Sequence, residues 1–482
     1  MTADVIVIGG GVIGKTISYT LAEHGVAVTC VGSSYAAPGT ASTAAGAMLG
    51  VLGEVTATAA SPMDETELGF RAAAGRRYPD FAARLAETSG VPIPLGMGTF
   101  VVGTTVNEAD LDNLAAIRMA ARNQGLPCEQ VDHRNVPGLR PARRHEPLGV
   151  LHLAQEGFLD SWQLMESLQV ALEKLPTASL VTADATAVEV EHGRVTGVRL
   201  RDGSFLSAGH VVLANGVGAQ PLLDQLGDLP GTLPRLLPGK GVSLVLDRVD
   251  DDFPQVIRTP NRDFACGSHV VPRGGGAVYL GATNRVSSTP GSGAEVTPGE
   301  VHSLMHSLMH EINVRFRTAS LASQRYGLRP LTSDGYPLIG ATALAGLSIA
   351  TGTYRNGILM APAVGEIIAA VICGDQPSLI NPFAPDAGFR SANAAPEVTD
   401  ILDEGLRHLV SFLLEPGGHM PYDRYRELHT FLTHLARLAL ANDAQAESMR
   451  EEIRRMFRDH PVPEMLPQLF YRLAAQQPVQ QP

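Results

Sequence analysis

Val5-Ile6-Val7-Ile8-Gly9-Gly10-Gly11-Val12-Ile13-Gly14 is the stretch whose reading decides the fold. A short apolar run breaks at once into glycines. A helix-friendly segment follows, Lys15–His24, then Gly25 and a second apolar run, Val26–Val31. Strand, glycine turn, helix and strand in this order form the unit that cradles a dinucleotide pyrophosphate. Gly9 permits the tight turn, Gly11 lets the backbone approach the phosphates, and Gly14 lets helix and strand pack closely, with Val12 and Ile13 opening the helix. The helix N-terminus then offers free N–H groups and its partial positive end to the phosphate charge. A glycine triplet by itself also suits an ordinary turn; the strand before it and the helix after it supply the context of a nucleotide site.

One expected part is missing. The second strand of such a unit ends in an acidic residue for the ribose hydroxyls, about 20 residues past the glycines. Here the strand runs Val28-Thr29-Cys30-Val31-Gly32-Ser33-Ser34, with Gly32 in the acidic position. Either Ser33, Ser34 and backbone hold the ribose, or a 2′-phosphate is tolerated. No Arg or Lys follows near that strand end, so the expectation is a nucleotide bound without its usual carboxylate.

Composition bounds what the rest can be. The 482 residues suffice for two domains with sizeable cores. With 44% apolar and 18% charged residues the chain is a soluble globular protein. A formal charge of −12, with no long Lys/Arg block, argues against nucleic acid as a partner. No apolar run has the length of a membrane span, so no membrane partner is expected. Met1-Thr2-Ala3-Asp4 lacks the basic segment of a secretory signal. Cys30, Cys128, Cys266 and Cys373 are scattered without metal-like spacing, which reads as reduced, buried thiols in a cytoplasmic protein.

Along the chain, Ala41-Ser42-Thr43-Ala44-Ala45-Gly46-Ala47-Met48-Leu49-Gly50 is dense in small residues, which lets backbone lie against a flat ligand. Residues 64–88 have the spacing of one amphipathic helix, through Leu68, Ala72, Tyr78, Phe81 and Leu85. Val91–Val102 reads as strands and Glu108–Asn123 as a helix; Arg143, Arg144 and His145 read as a solvated turn. A helix is expected over Ser161–Lys174, then a meander of Ala187–Glu191, Val195–Arg201 and Val211–Leu213, closed by Ala214-Asn215-Gly216. Strands follow over Val242–Leu246, Val270–Arg273 and Val278–Gly281. Val301–Phe316 reads as helical, with His302, His306 and His310 at four-residue steps. That stripe could bind a metal or be a solvated face in a local repeat. No Cys or carboxylate partner is evident, so no metal is expected.

The richest later stretch is Tyr326–Pro362. It holds Gly327-Leu328-Arg329-Pro330, Asp334-Gly335-Tyr336-Pro337, the strand Leu347–Ala350, and Gly352-Thr353-Tyr354-Arg355-Asn356-Gly357-Ile358-Leu359 before a helix over Val364–Ile372. A second strand-glycine-helix unit thus closes the core, and its helix start could again point N–H groups at a ligand.

With these residues in view, the sequence resembles the FAD-dependent D-amino-acid oxidase family, in its glycine oxidase branch. The resemblance covers about residues 3–385. It is carried by the glycine fingerprint, Ser42–Leu49, Ala214–Gly216, Val271-Pro272-Arg273, Gly281-Ala282-Thr283, Gly327–Pro330 and Arg355–Leu359. It implies an α/β fold: a Rossmann-type FAD-binding domain from residues 1–90, 150–224 and 326–385, and an inserted, mainly antiparallel substrate domain from 91–149 and 225–325. It implies FAD, held non-covalently because no Cys stands where a flavin-linking one would. Gly9, Gly11, Val12, Ile13 and Gly14 would hold the pyrophosphate, with Ser33 toward the ribose and Ala214 and Gly216 alongside. Ser42, Ala44, Ala45, Gly46 and Met48 would line the flavin, Val188 would touch the adenine side, and the backbone of Asn356, Gly357, Ile358 and Leu359 would meet the isoalloxazine edge. Arg329 resembles the substrate-carboxylate clamp, whose planar fork of donors matches a carboxylate. The alternative for Arg329 is an interdomain salt bridge, and Arg355 is open between flavin and substrate. With Met48 and His269 they make up the candidate catalytic set.

Two departures bear on the substrate. His269 stands before Val270-Val271-Pro272-Arg273 where a Tyr is usual, and a titratable imidazole there would make binding pH-dependent. Ala-Gly-Met is permuted to Gly46-Ala47-Met48. The implied chemistry is oxidation of a small or N-substituted amino acid at its α-carbon, giving an imine that hydrolyses, with O2 as acceptor and hydrogen peroxide as product. A dehydrogenase with another acceptor, or a flavin-bearing partner subunit, are the alternatives. Past the resemblance, 386–396 reads as a linker, 397–475 as amphipathic helices through Leu428, Phe431, Leu432, Leu435 and Leu438, and 476–482 as a disordered tail. A homo-oligomer is expected, with those helices capping the enzyme or at the interface.

Overall fold

The computed structural model describes residues 4–57, 61–104, 109–227, 233–261, 266–286 and 295–391. The expected linker, C-terminal helices and tail lie outside the described residues, apart from 386–391.

The opening apolar run becomes the strand Val5–Ile8, buried at every position, and the glycine turn leads into the helix Val12–Glu23. The strand is central in a six-stranded sheet ordered Leu338–Ala341, Leu347–Thr351, His210–Leu213, Val5–Ile8, Val28–Gly32, Ala178–Thr182. All pairings but the first are parallel. A strand buried on both faces needs no polar alternation, which is why Val5–Ile8 is continuously apolar. The chain leaves Val5–Ile8 toward one neighbour and returns on its other side, so a crevice opens at the carboxyl ends of these strands, where ligands of open α/β sheets sit.

Helices cover one face. Val12–Glu23 packs against Gly357–Cys373, and Pro62–Ser89 packs against both Gly357–Cys373 and Ser161–Lys174. Pro62–Ser89 starts with a reciprocal cap: the Asp64 N–H donates to Ser61 Oγ at 3.1 Å and the Ser61 N–H to Asp64 Oδ2 at 2.9 Å. Asp160 caps Ser161–Lys174 by accepting from the N–H groups of Trp162 and Gln163. On the other face lies a small antiparallel sheet of Ala185–Glu191, Arg194–Leu200 and Phe205–Ser207, whose Val188, Val195 and Val198 share a core with Ile6, Ile8 and Val211 of the parallel sheet.

The second layer is a ten-stranded, mainly antiparallel sheet. Its longest pairing joins Leu236–Asp247 to Ser320–Thr332. Gly96–Gly103 pairs with Gly149–Phe158, which pairs in turn with Met48–Leu49. The Ser42–Leu49 loop is therefore clamped between the two sheets. The strand Gly149–Phe158 runs across the expected cut at 149/150, and Ser320–Thr332 across that at 325/326.

Some elements depart from expectation. The helix expected at Val364 begins seven residues earlier, at Gly357, and carries Pro362 inside it. The long strand Ser320–Thr332 and the strand Ala178–Thr182 were not anticipated. The cysteines are free: Cys30 and Cys266 are buried and Cys128 half-buried, but Cys373 is exposed. Among the described residues no helix is long and apolar enough to cross a membrane.

Candidate active site

A cavity of about 530 Å³ runs from the carboxyl ends of the parallel strands to the face of the large sheet. Its first end is the glycine turn. Gly9 has φ of +148°, and a Cβ there would lie 2.3 Å from the Ala214 oxygen; a Cβ on Gly14 would lie 2.1 Å from the Gly9 oxygen. These glycines let strand, turn and helix close on one another, leaving Gly11, Val12 and Ile13 on the cavity wall while Gly14 stays behind it. The helix Val12–Glu23 has no side-chain cap at Gly11; Ser42 Oγ instead accepts from the Val12 N–H at 2.9 Å.

The missing strand-end acid has a steric reason. A Cβ on Gly32 would sit 2.3 Å from the Gly10 nitrogen, and one on Gly10 would sit 2.3 Å from the Ser33 oxygen. Strand end and glycine turn are in backbone contact, so a side chain at 32 does not fit. Ser33 and Ser34 line the wall there, joined by Asp184 and Arg201, which pair at 3.0 Å. Gly32 is in register with Thr182, so Asp184 follows just past the neighbouring strand's end. Sequence distance hid this pair.

The middle of the wall is the Ser42–Met48 loop, with Ser42, Ala44, Ala45, Gly46 and Met48 all on it. It is pinned from the large sheet: the Ala44 oxygen accepts from Tyr279 OH at 2.9 Å and Ser243 Oγ at 3.0 Å. The Ala45 oxygen accepts from Ser161 Oγ at 3.1 Å. Ala214 and Gly216 line the opposite side, as do Asn356, Gly357 and Ile358 at the start of the closing helix, which also lacks a side-chain cap. Besides Gly14, two expected contacts are corrected. Leu359 turns into the core with 1% exposure, and Val188 packs in the core of the small sheet; neither lines the cavity. Ala183, Asp184 and Ala185 take the place foreseen for Val188.

The far end is charged. Arg329 comes from Ser320–Thr332 opposite Gly239, and its guanidinium occupies the space a side chain on Gly241 would fill, with a Cβ there 2.3 Å away. Its Nη1 donates to the Thr283 oxygen at 3.1 Å and Asn284 Oδ1 at 3.0 Å. Among the described residues no carboxylate pairs with it, so the salt-bridge alternative finds no partner there. Asn284 also bonds Tyr354 OH, and the Arg355 guanidinium lies 5.0 Å from the Tyr354 ring centroid. Arg355 Nε meets Glu54 Oε2 at 3.4 Å, and its Nη1 is buried without a hydrogen-bond partner.

Glu54 also accepts from Arg258 Nη1 at 2.7 Å and Asn261 Nδ2 at 2.8 Å. Burial disfavours the Glu54 charge, but Arg258 and Arg355 outweigh it and hold the carboxyl well below the usual range. Burial likewise opposes the Arg355 charge, and Cys266 and Glu54 overcome it, so the guanidinium stays protonated. Behind them Glu156 Oε1 accepts from the N–H groups of Val51, Leu52 and Gly53, while burial pushes its carboxyl up. Glu54, Arg258 and Cys266 all line this end, and none of them was expected at the site. They stand far apart in the chain and carry no motif.

His269 faces Arg258 and Gly281 across adjacent strands, and a Cβ on Gly281 would lie 2.2 Å from its Nε2. It is 5% exposed, stacks on Tyr279, and has a buried Nδ1 without a partner. Burial, then the charges of Arg258 and Arg329, push its pKa down to about 3. The expected pH dependence from this imidazole is therefore corrected: it is neutral throughout the ordinary range. Far from the cavity, His302, His306 and His310 do share a helix face, with the last two rings stacked at 4.1 Å and His145 5.5 Å from His310. Among the described residues no group of His, Cys, Asp or Glu has an arrangement that could hold a metal.

Two uncapped helix starts facing one elongated cavity, a glycine turn open at Gly11 and a loop of small residues between them suit a dinucleotide with a flat ring system. The comparisons agree. Residues 4–371 match the family model described as FAD dependent oxidoreductase. The glycine oxidase of Pseudomonas putida is 31% identical over 398 residues, which is 80% of this chain and 99% of that one. A D-amino acid dehydrogenase of Cereibacter sphaeroides is 30% identical over 281 residues, 57% of this chain and 61% of that one. Among solved structures, glycine oxidase from Geobacillus kaustophilus superposes with a TM-score of 0.69 at 26% identity, covering 80% of this chain and 98% of that one.

Proposed function

Because the chain belongs to the family of FAD-dependent oxidoreductases, we propose that it is a glycine oxidase-like amino-acid oxidase, oxidising a small or N-substituted amino acid and passing the electrons to O2. The observation that carries this reading is Arg329: a guanidinium on the cavity wall, positioned by Thr283 and Asn284, with no carboxylate of its own among the described residues. Such a fork is the complement of a substrate carboxylate.

When bound, FAD supplies the two-electron redox chemistry between substrate α-carbon and dioxygen. Gly9, Gly11, Val12 and Ile13 would hold its pyrophosphate, Ser33 its ribose, and the Ser42–Met48 loop with Asn356–Ile358 its ring system. The protein's own work is positioning. Arg329 fixes the carboxylate, and fixing it sets the direction of the α-C–H bond. His269, neutral at ordinary pH, can accept a hydrogen bond from the substrate amine, which must itself be neutral when that bond breaks. Buried Tyr279 and Gly46 close the wall around this point. Orientation alone can supply on the order of 7–11 kcal/mol of such a barrier at best. The imine product is then hydrolysed by water.

Arg329→Ala is expected to retain FAD and to lower kcat/KM roughly 100- to 1,000-fold, the loss of a bidentate charged pair. Undiminished turnover of a carboxylate substrate would remove Arg329 from this role. The likeness to a D-amino acid dehydrogenase supports a second reading, electron transfer to an acceptor other than oxygen. Hydrogen peroxide formed in proportion to substrate consumed supports the oxidase, and turnover only with an added quinone supports the dehydrogenase.

A further inference from the structure

The substrate end of the cavity holds more positive charge than one carboxylate needs. Among the described residues three guanidinium groups line it, Arg258, Arg329 and Arg355, against one lining carboxylate, Glu54. Every nitrogen of Arg258 has a partner: they donate to Glu54, Asn261 and the Thr259 oxygen, and the residue is 1% exposed. Glu54 is shared between Arg258 and Arg355, and reaches Arg355 only through Nε at 3.4 Å. Glu156 lies behind the wall with one oxygen spent on three backbone N–H groups. His269 adds no charge, and its buried Nδ1 is open. Among the described residues Arg329 bonds only through Nη1, and Arg355, which meets Glu54 and Cys266, keeps its Nη1 without a partner; the two flank the same Tyr354. Arg329 reaches Tyr354 through Asn284, while Arg355 lies over its ring.

An unpartnered guanidinium nitrogen in a protein interior is costly unless a ligand satisfies it. A monocarboxylate with a neutral amine answers Arg329 and leaves Arg355 open. We infer that Arg355 is a second carboxylate anchor, so that the preferred substrate is an amino or imino acid bearing two carboxylates, one held by Arg329 and the other by Arg355. This rests on the amino-acid oxidoreductase reading given above.

The test is a titration of the FAD-loaded full-length enzyme with propionate and with succinate, neither of which can be oxidised as an amino acid, read as the perturbation of the flavin spectrum. Succinate is expected to bind roughly 10- to 100-fold tighter, the range for one further charged hydrogen-bonding pair. In Arg355→Gln the ratio of the two affinities falls to near one, and Arg355→Lys, which keeps the charge but not the fork, restores part of it. Equal binding of the two acids by the wild type overturns the inference. So does an Arg355→Gln variant that weakens both equally, which would assign Arg355 to the cofactor instead. If Arg355→Gln does not load FAD, the lysine variant and the wild-type ratio decide. Turnover is measured separately, with glycine and sarcosine against iminodiacetate and aspartate. No turnover of any amino acid defeats the functional reading, while the titration still decides the second anchor.

Discussion

His269 is the residue at which an ordinary side chain has been given unusual surroundings. Near-complete burial, and then two neighbouring guanidinium groups, keep the folded imidazole neutral down to about pH 3, whereas its ordinary value is 6.5. Between those values the unfolded chain binds the extra proton, so stability falls as pH drops below 6.5 and the loss saturates near 3. At pH 5 the cost is about 2 kcal/mol relative to pH 8. His269→Gln is expected to shrink the fall in Tm between pH 8 and pH 5, and an undiminished fall would mean that other groups set it. Ala47 is a second residue under constraint. It holds φ of +57°, while a Cβ on Gly46 would lie 2.8 Å from the Tyr279 ring. The permuted Gly46-Ala47 order thus answers the contact with Tyr279 and leaves the left-handed turn to an alanine. Ala47→Gly is expected to change stability by less than about 1 kcal/mol, since relief of strain offsets the freer unfolded chain. Gly46→Ala is expected to displace the loop and weaken FAD retention, which flavin fluorescence released on dialysis would measure.

At the scale of elements, what was legible followed from local chemistry. Gly9 and Gly14 announce their turn because the backbone there admits no side chain, and Ser161–Lys174 appears at its expected bounds because Asp160 caps it and its apolar face repeats. The closing helix starts earlier than its expected bound at Val364: it begins at Gly357 and holds Pro362 in a fully buried turn. Only tertiary packing decides that. The strand Val28–Gly32 shows the same limit: its missing acid was legible, but its cause, backbone contact between Gly32 and Gly10, was not. That cause makes a prediction contrary to simple repair. Restoring the acid with Gly32→Glu is expected to weaken FAD binding, because the new Cβ would push the strand end away from the glycine turn. A tighter Kd in this variant, measured by quenching of FAD fluorescence on titration with apoprotein, would show that the strand end yields.

The whole molecule adds what neither residues nor elements contain, which is the meeting of Glu54, Arg258 and Arg355. One belongs to the turn after the Met48–Leu49 strand, one to a strand of the large sheet, and one to the turn before the closing helix. No periodicity or spacing links positions 54, 258 and 355; the two layers bring them together, and so Arg355 was legible only as a motif neighbour of Asn356. The same argument makes the cluster a fastening between layers as well as part of the cavity wall. Among the described residues Glu54 is the carboxylate that pairs with both guanidinium groups, and removing it leaves both without that partner. Glu54→Gln is therefore expected to destabilise by about 3–5 kcal/mol, the cost of an uncompensated buried charge. The pH dependence fixes its origin. Because the folded carboxyl titrates well below its ordinary 4.5, the contribution is complete above that value and is lost as pH falls toward the folded pKa. Denaturation by urea should thus separate wild type and Glu54→Gln by a constant amount from pH 8 to pH 5 and by less at pH 3. A gap that persists unchanged into acid would mean that Glu54 acts through packing and not through its charge. Arg258→Met in the Glu54→Gln background should recover part of the loss, since it removes the more deeply buried of the two stranded cations.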